Sequence, residues 1–184
     1  AHGRASIAAG KDGPFWQGKL SVYSPDLAGS LRMAGMGKIH IPPSLNRVEM
    51  EARFRGDPNT LSLREIRAKA DQSVITGTLN ANWREQPALD FKLHADQINL
   101  DRYMDNAGEG KGKASGSKEW DFRFMRGFRA QGEMSVSRFT AMRFTAQNLR
   151  TRYKLENGRL TSDSITGQFY GAPIISKASI TFNK

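Results

Sequence analysis

The chain has 184 residues, and its 28 Lys and Arg against 18 Asp and Glu give a formal net charge of +10. Because it contains no cysteine, disulfides, thiolate zinc sites and cysteine nucleophiles are excluded. Hydrophobic residues make up 38%, and no run approaches the roughly 20 apolar residues of a membrane-spanning helix. The first residues show no targeting signal, so we interpret the chain as a piece of a longer protein whose anchor or signal lies outside it.

The first element in chain order is a helix predicted over residues 24–36. Ser24 offers an N-cap hydroxyl, Pro25 suits the first helical turn, and Asp26 complements the helix dipole. Apolar residues then recur at helical spacing. The apolar positions of residues 120–125 fit a second short helix nearly as well as a strand.

Period-two alternation dominates the remaining sequence. Residues 48–55, 89–96, 142–155 and 178–182 each alternate apolar with polar or charged side chains. A strand sends these two sets to opposite faces. One apolar face and one wet face is typical of antiparallel sheets, whereas buried parallel strands are apolar on both faces.

Turn residues separate the alternating segments. Gly56–Asn59, Glu85–Pro87 and Asn157–Gly158 are predicted turns, the last of them a two-residue hairpin. The alternation slips by one residue near Asn148, and a β-bulge there would keep the apolar set on one face. The sequence therefore predicts a mainly β protein: a long antiparallel meander forming a curved, groove-like (taco-shaped) sheet with one or two short helices.

The chain divides into two sheet units around a polar segment. Residues 105–118 hold only small, polar and charged side chains and are predicted to be a flexible linker. Residues 1–104 then form the first β-sheet repeat, and residues 119–184 form the second, continuing the same sheet. Both contain an Ile-Thr-Gly string after an alternating strand, at Ile75–Gly77 and at Ile165–Gly167, which favours a repeated unit.

No residue pattern assembles an active site, and we expect a protein that is not an enzyme. The glycines of the linker match neither a phosphate-binding loop nor a dinucleotide fingerprint. His2, His40 and His94 lack metal-ligand spacing. Asp90 and Asp96 fall on the charged face of one strand with no identified acid partner. We expect no cofactor and no metal.

Arginines and aromatic residues are interleaved over residues 123–154, and this is the main argument for nucleic-acid binding. Stacking aromatics and phosphate-binding cations would then share one exposed surface. Alternation instead places Phe144 opposite to Arg143, which favours a basic outer face and an apolar inner face. Nucleic acid is therefore the weakest of three alternatives.

The apolar face itself is the main candidate for function. A short helix can cover only part of a sheet of eight or more long strands, and a large exposed apolar patch usually binds something. A packed core remains the alternative interpretation. The candidate lipid-groove residues are Met50, Phe54, Leu79, Phe91, Leu93, Phe144, Tyr153, Ile180 and Phe182.

Several motifs resemble the AsmA-like family. The string Leu93–Met104 (LHADQINLDRYM) is similar to the Asp-x-Ile/Leu-x-Leu-Asp-Arg-Tyr-Leu strand ending of that family. Residues 132–136, 157–160 and 167–171 resemble its C-terminal repeat, although Ala172 stands where Tyr-Gly-Gly has its second Gly. Residues 24–27 and 75–79 also fit. The resemblance covers most of residues 15–184.

The resemblance implies a Gram-negative envelope protein held in the inner membrane by an N-terminal helix absent from this sequence, with the rest in the periplasm. Family members look like repeating β-groove proteins implicated in outer-membrane assembly and in phospholipid passage between membranes. We therefore expect a periplasmic module that contacts phospholipid acyl chains and supports outer-membrane biogenesis. One alternative is a structural module that stacks on neighbouring repeats, partner proteins or a second copy through its sheet edges. The other is a basic nucleic-acid-binding sheet.

Overall fold

The computed structural model describes residues 2–10, 13–26, 29, 47–104 and 127–181. These residues form ten strands and one short helix. The elements are β1 (His2–Gly10), β2 (Gly13–Ser24), β3 (Val48–Asp57), β4 (Thr60–Ala70), β5 (Ser73–Asn82), β6 (Ala88–Asn99), α1 (Asp101–Met104), β7 (Arg129–Ala141), β8 (Phe144–Glu156), β9 (Arg159–Phe169) and β10 (Ala172–Thr181). The protein is mainly β, as predicted.

All ten strands belong to one sheet in chain order, with β1 and β10 at its two edges. Eight of the nine neighbouring pairs are antiparallel, so the expected meander is confirmed in its main feature. The pair β6–β7 is parallel, which corrects the expectation of a purely antiparallel sheet. A parallel neighbour needs a long crossover connection, and the chain between Asn99 and Arg129 is long enough to provide it.

The predicted turns are confirmed. Asn157 and Gly158 connect β8 to β9, both with positive φ. Pro58 and Asn59 connect β3 to β4, and Asp57 accepts hydrogen bonds from the backbone N–H groups of Asn59 and Thr60 at 2.7 and 2.9 Å. Residues 83–87 form the bends between β5 and β6.

Bulges in β4, β8 and β9 keep the apolar residues on one face; the one in β9 is an extra residue at 163–164 relative to both β8 and β10. Asn148 has a φ of 51°, and the register between β8 and β9 shifts between Gln147 and Arg150, which confirms the bulge predicted there. Sequence reasoning missed the bulges in β4 and β9. Glu65, with a φ of 52°, is an extra residue relative to both β3 and β5.

The helical predictions concern mostly residues outside the described ranges. These are residues 27, 28 and 30–36 of the first predicted helix, the 105–118 linker and the segment 120–125. The predicted helix start at Ser24 is wrong, because Ser24 is the last residue of β2 and Pro25 lies in a bend. Asp26 Oδ1 instead accepts a hydrogen bond from the N–H of Gly29 at 2.9 Å, and Gly29 is helical. The helix α1 was not predicted; its Arg102 forms an ion pair with Asp71 at 3.1 Å.

Candidate functional site

The pairing register assigns the side chains of β2–β10 to two faces, because directly paired residues share a face and successive residues alternate. On β2 to β4 one face, called here the apolar face, comprises the even-numbered residues of 14–24 and 48–56 and residues 61, 63, 66, 68 and 70. On β5 to β7 it comprises the odd-numbered residues of 73–81 and 89–95 and the even-numbered residues of 130–136. On β8 to β10 it comprises residues 144, 146, 149, 151, 153, 155, 160, 162, 165, 167 and 169 and the even-numbered residues of 172–180. None of these positions carries a charged residue.

The opposite face, called here the basic face, collects the charges. The Lys and Arg on it are Lys19, Arg53, Arg55, Arg64, Arg67, Lys69, Lys92, Arg129, Arg150, Arg152, Lys154, Arg159 and Lys177. The acidic residues on it are Glu49, Glu51, Asp57, Asp90, Asp96, Glu133 and Glu156, together with Glu65 of the β4 bulge, which lies 2.8 Å from Arg53. Cations therefore outnumber carboxylates on this face.

Ion pairs link some of these basic-face charges across and along strands. Lys19 Nζ lies 3.1 Å from Glu51, and Arg152 Nε lies 2.9 Å from Glu133. Lys154 donates to Glu156 at 2.8 Å, and this hydrogen bond together with the lysine charge lowers the pKa of the Glu156 carboxyl. All these groups are partly exposed, so each pair contributes little to stability.

Small residues occupy the most buried points of the apolar face. Ala95 is 0% and Ala52 is 2% exposed, whereas none of the described large side chains is fully buried. Phe144 and Ile180, on the same face, are each 55% exposed. The face therefore presents a broad hydrocarbon surface to its surroundings.

The structure brings the candidate groove residues together on one surface. The eight that it describes, from Met50 to Ile180, all lie on the apolar face. Phe182 lies outside the described residues. Their common face is an observed feature; their role as lipid contacts stays a prediction.

Four of the candidates share one row that crosses six strands. Phe54 pairs with Leu63, Leu63 with Leu79, Leu79 with Phe91, Phe91 with Gly132, and Gly132 with Tyr153. This set is called here the central row. With neighbouring strands about 4.8 Å apart, the row is about 24 Å long. One bilayer leaflet is roughly 15 Å of hydrocarbon, so the row can accommodate the full length of an acyl chain.

Sequence reasoning missed two members of the central row. Leu63 belongs to β4, where the bulge at Glu65 interrupts the alternation. Gly132 carries no side chain, and a Cβ there would lie 2.7 Å from ring atoms of Phe91. The missing side chain therefore makes room for the Phe91 ring over β7, a contact that only the pairing of β6 with β7 reveals.

A cleft on the basic face was also not anticipated. It has a volume of about 570 Å³ and is lined by Lys19, Arg53, Arg55, Ser62 and Arg64, among others. The Arg55 guanidinium lies 4.7 Å from the centre of the Phe15 ring. The signal for this accumulation of charge was the recurrence of cations along β3 at Arg53 and Arg55 and along β4 at Arg64, Arg67 and Lys69.

In the described part of the chain, no group of three or more His, Cys, Asp or Glu side chains is arranged to hold a metal ion. His94 Nδ1 lies 2.9 Å from the Ser135 hydroxyl on the basic face. Over the same ranges, no helix has the length and apolar character needed to cross a bilayer.

Comparison with models of protein families, with curated proteins and with solved structures finds no match for this chain.

Proposed function

We propose that this protein is a non-enzymatic β-groove module that holds phospholipid acyl chains on its apolar face. In this proposal it acts in the periplasm as part of an inner-membrane-anchored, AsmA-like protein, and supports outer-membrane biogenesis or lipid transport between membranes. The observation that carries the proposal is the segregation of charge. None of the positions assigned to the apolar face carries a charge, and Phe144, Phe169 and Ile180 on it are 36–55% exposed.

The energetics suit a carrier that both loads and releases its lipid. Each methylene removed from water contributes about 0.8 kcal/mol, so a chain of about 14 methylenes gains roughly 11 kcal/mol on reaching the face from water. An acyl chain that moves from a bilayer to an apolar protein surface stays in an apolar environment. Lipid exchange with a membrane would therefore be nearly balanced in free energy.

The placement of the aromatic residues favours a lipid over a nucleic acid. Single-strand binding surfaces combine stacking aromatics with cations on the same face. Phe54, Phe91 and Tyr153 lie on the apolar face, whereas the arginines of β3 and β8 and Lys92 of β6 lie on the basic face. The central row therefore presents bare hydrocarbon and aromatic surface, which suits an acyl chain.

Native mass spectrometry and lipid extraction of the purified chain test the proposal. We expect co-purifying phospholipid, and we expect Phe91→Glu to abolish it because the carboxylate would lie in the centre of the apolar face. Lys92→Glu is the matched control, since it places the same group one residue along β6 on the basic face. Circular dichroism checks that both variants fold.

Ile180→Glu provides a second variant, because Ile180 lies on the edge strand β10 and is already 55% exposed. Its expected effect is a partial loss of lipid, and Thr181→Glu on the opposite face is its control. Lipid loading that is equal in all four folded variants, or absent from the unmodified chain, would contradict the proposal.

A second candidate function is association through sheet edges. The last strand, β10, pairs only with β9 among the described strands, and its Ile175 is 84% exposed. Such an edge can pair with a neighbouring repeat, a partner protein or a second copy. Sedimentation velocity tests this: concentration-dependent dimers that Ile175→Lys removes would support edge pairing, and a monomer at all concentrations would contradict self-association.

A further inference from the structure

Two neighbouring hairpin turns expose large apolar side chains. The turn between β7 and β8 consists of Met142 and Arg143, and the turn between β9 and β10 consists of Tyr170 and Gly171. Met142 is 70% exposed and Tyr170 is 76% exposed. Alternation had placed Met142 in a strand, whereas the structure places it at the end of a hairpin.

The backbone at both turns is unusual for these residues. Met142, Arg143 and Tyr170 have φ values of 51°, 66° and 49°, in the left-handed region that Asn and Gly favour. The turn at the opposite end of β8 has the favoured pair, Asn157 and Gly158. Local conformation therefore does not explain Met and Tyr at these positions, and outliers of this kind are concentrated at functional sites.

The two turns are held together and joined to the apolar face. The Phe144 and Phe169 rings, both on that face, have centroids 5.8 Å apart, and the Tyr170 ring meets Phe169 edge-on at 4.6 Å. The surface formed by Met142, Phe144, Phe169 and Tyr170 is called here the apolar tip. It is a continuation of the apolar face to one end of the sheet.

Cations and carboxylates both surround the apolar tip, and the excess of cations on the adjoining basic face favours an anionic partner. Both carboxylate oxygens of Asp101 are engaged by the turn, accepting hydrogen bonds from the N–H groups of Met142 and Arg143. Asp71 is paired with Arg102. The Arg143 side chain is exposed in the turn itself, and the excess of cations on the basic face adds longer-range attraction to a negative surface.

We propose that the apolar tip docks on a phospholipid bilayer, with Met142 and Tyr170 inserted at the interface and Arg143 beside anionic headgroups. Tyrosine suits this position because its ring is apolar and its hydroxyl is polar. The apolar face then begins where the bilayer ends, so an acyl chain can pass from one to the other without entering water. This inference rests on the proposed lipid-holding function and adds the place at which lipid enters or leaves.

Flotation of the full 184-residue chain with unilamellar vesicles tests the proposal. We expect binding to vesicles of equal parts phosphatidylcholine and phosphatidylglycerol, and weaker binding to pure phosphatidylcholine. Met142→Asn and Tyr170→Asn should each weaken partitioning about tenfold, because each removes one large side chain from the interface. Asparagine suits the left-handed turn positions, so thermal stability should be unchanged or increased.

Asn157→Tyr is the matched control, because it adds an exposed tyrosine to the same kind of turn at the opposite end of the sheet. It should leave vesicle binding unchanged. The proposal is overturned if the unmodified chain binds neither vesicle, if the Met142 and Tyr170 variants bind like the unmodified chain, or if they abolish self-association and not vesicle binding.

The measurement also separates this inference from the proposed function. The Asn variants should keep co-purified phospholipid and lose vesicle binding, whereas Phe91→Glu should lose the phospholipid and keep vesicle binding. Vesicle binding without any lipid loading would contradict the proposed function alone. Lipid loading without vesicle binding would contradict the docking alone.

Discussion

At the scale of single residues, the close approach of neighbouring strands depends on positions without a side chain. A Cβ at Gly77 would lie 2.0 Å from the Lys92 carbonyl oxygen, and the φ of Gly77 is +150°. A Cβ at Gly132 would lie 2.2 Å from the Phe91 carbonyl oxygen. Both clashes involve backbone, which cannot move away as the end of a flexible side chain can.

Replacing Gly77 by alanine should therefore destabilise the sheet by about 2–3 kcal/mol, because β5 and β6 must separate to admit the methyl group. Urea denaturation measures the effect. Gly127→Ala is the control, since a Cβ at Gly127 meets nothing within 4 Å. Equal stability of the two variants would show that β5 and β6 are not paired as described.

Asp57 stabilises the turn between β3 and β4 through its ionised carboxylate, and substitution can test this role. Hydrogen bonds from the Thr60 side chain and then from the Asn59 backbone lower the pKa of its carboxyl below the ordinary 3.8. A lowered pKa in the folded state means that the ionised carboxylate stabilises the turn above the unfolded pKa. This contribution is lost as the pH falls through the folded pKa, below 3.8.

We expect Asp57→Ala to lower the melting temperature slightly at neutral pH, because the turn loses three hydrogen bonds. The difference from the unmodified chain should shrink at pH values below the folded pKa. Asp57→Asn retains an acceptor oxygen without a charge and should lie between the two at neutral pH. Circular dichroism measures the melting temperature of each variant as a function of pH. A difference in melting temperature that does not depend on pH would contradict the stabilising role of the ionised Asp57 carboxylate.

At the scale of elements, the bulge at Glu65 allows β4 to keep its apolar residues on one face. Leu61 and Leu63 precede the extra residue, and Ile66 and Ala68 follow it with the opposite parity. Without Glu65, all four would alternate regularly, and the pairs with β3 and β5 would continue without a shift.

Deletion of Glu65 should therefore be tolerated, with a loss of no more than about 1 kcal/mol, because it removes the extra residue and only an exposed ion pair to Arg53. Deletion of Arg67 is the matched control in the same strand. That deletion would turn Ala68 and Ala70 away from the apolar face or force the strand to slip, and should prevent folding. Equal effects in urea denaturation would contradict the register of β4.

At the scale of the whole molecule, charge is separated between the two faces, and the basic face concentrates repulsion. Lys19, Arg53 and Arg64 lie directly opposite one another across β2, β3 and β4. Ion pairs of Lys19 with Glu51 and of Arg53 with Glu65 offset part of the repulsion, but like charges directly opposite one another still destabilise a sheet. The arrangement suits a protein whose partner supplies negative charge.

Replacing Arg64 by glutamate should stabilise the isolated chain by about 0.5 kcal/mol, because a carboxylate then faces Arg53. Added salt should stabilise the unmodified chain more than this variant, since screening relieves the repulsion that the substitution already removes. Arg159→Glu, which faces Glu156 across the β8–β9 pair, should be destabilising and is the control. Arg64→Glu that proves destabilising in low salt would contradict the proposed repulsion.

The sequence predicted those parts of the structure that depend on near neighbours along the chain. Alternation around Met50, Phe91 and Tyr153 was sufficient to place them on the apolar side, and Asn157–Gly158 was sufficient to place a hairpin. The bulge near Asn148 was predictable because apolar residues flank the slip on both sides. At Glu65 only one large apolar residue, Ile66, follows the slip before two alanines, so the signal was too weak.

The pairing of strands that lie far apart in the sequence could be determined only from the tertiary structure. The sequence by itself determined that one surface of each strand would be apolar and the other charged, because the pleat repeats every two residues whatever the partner strand is. Only the tertiary structure decided that β7 lies parallel to β6, that the Phe91 ring packs over Gly132, and that Met142 and Tyr170 lie at the same end of the sheet. These contacts join residues tens of positions apart, and their free energy depends on a register that no local pattern encodes.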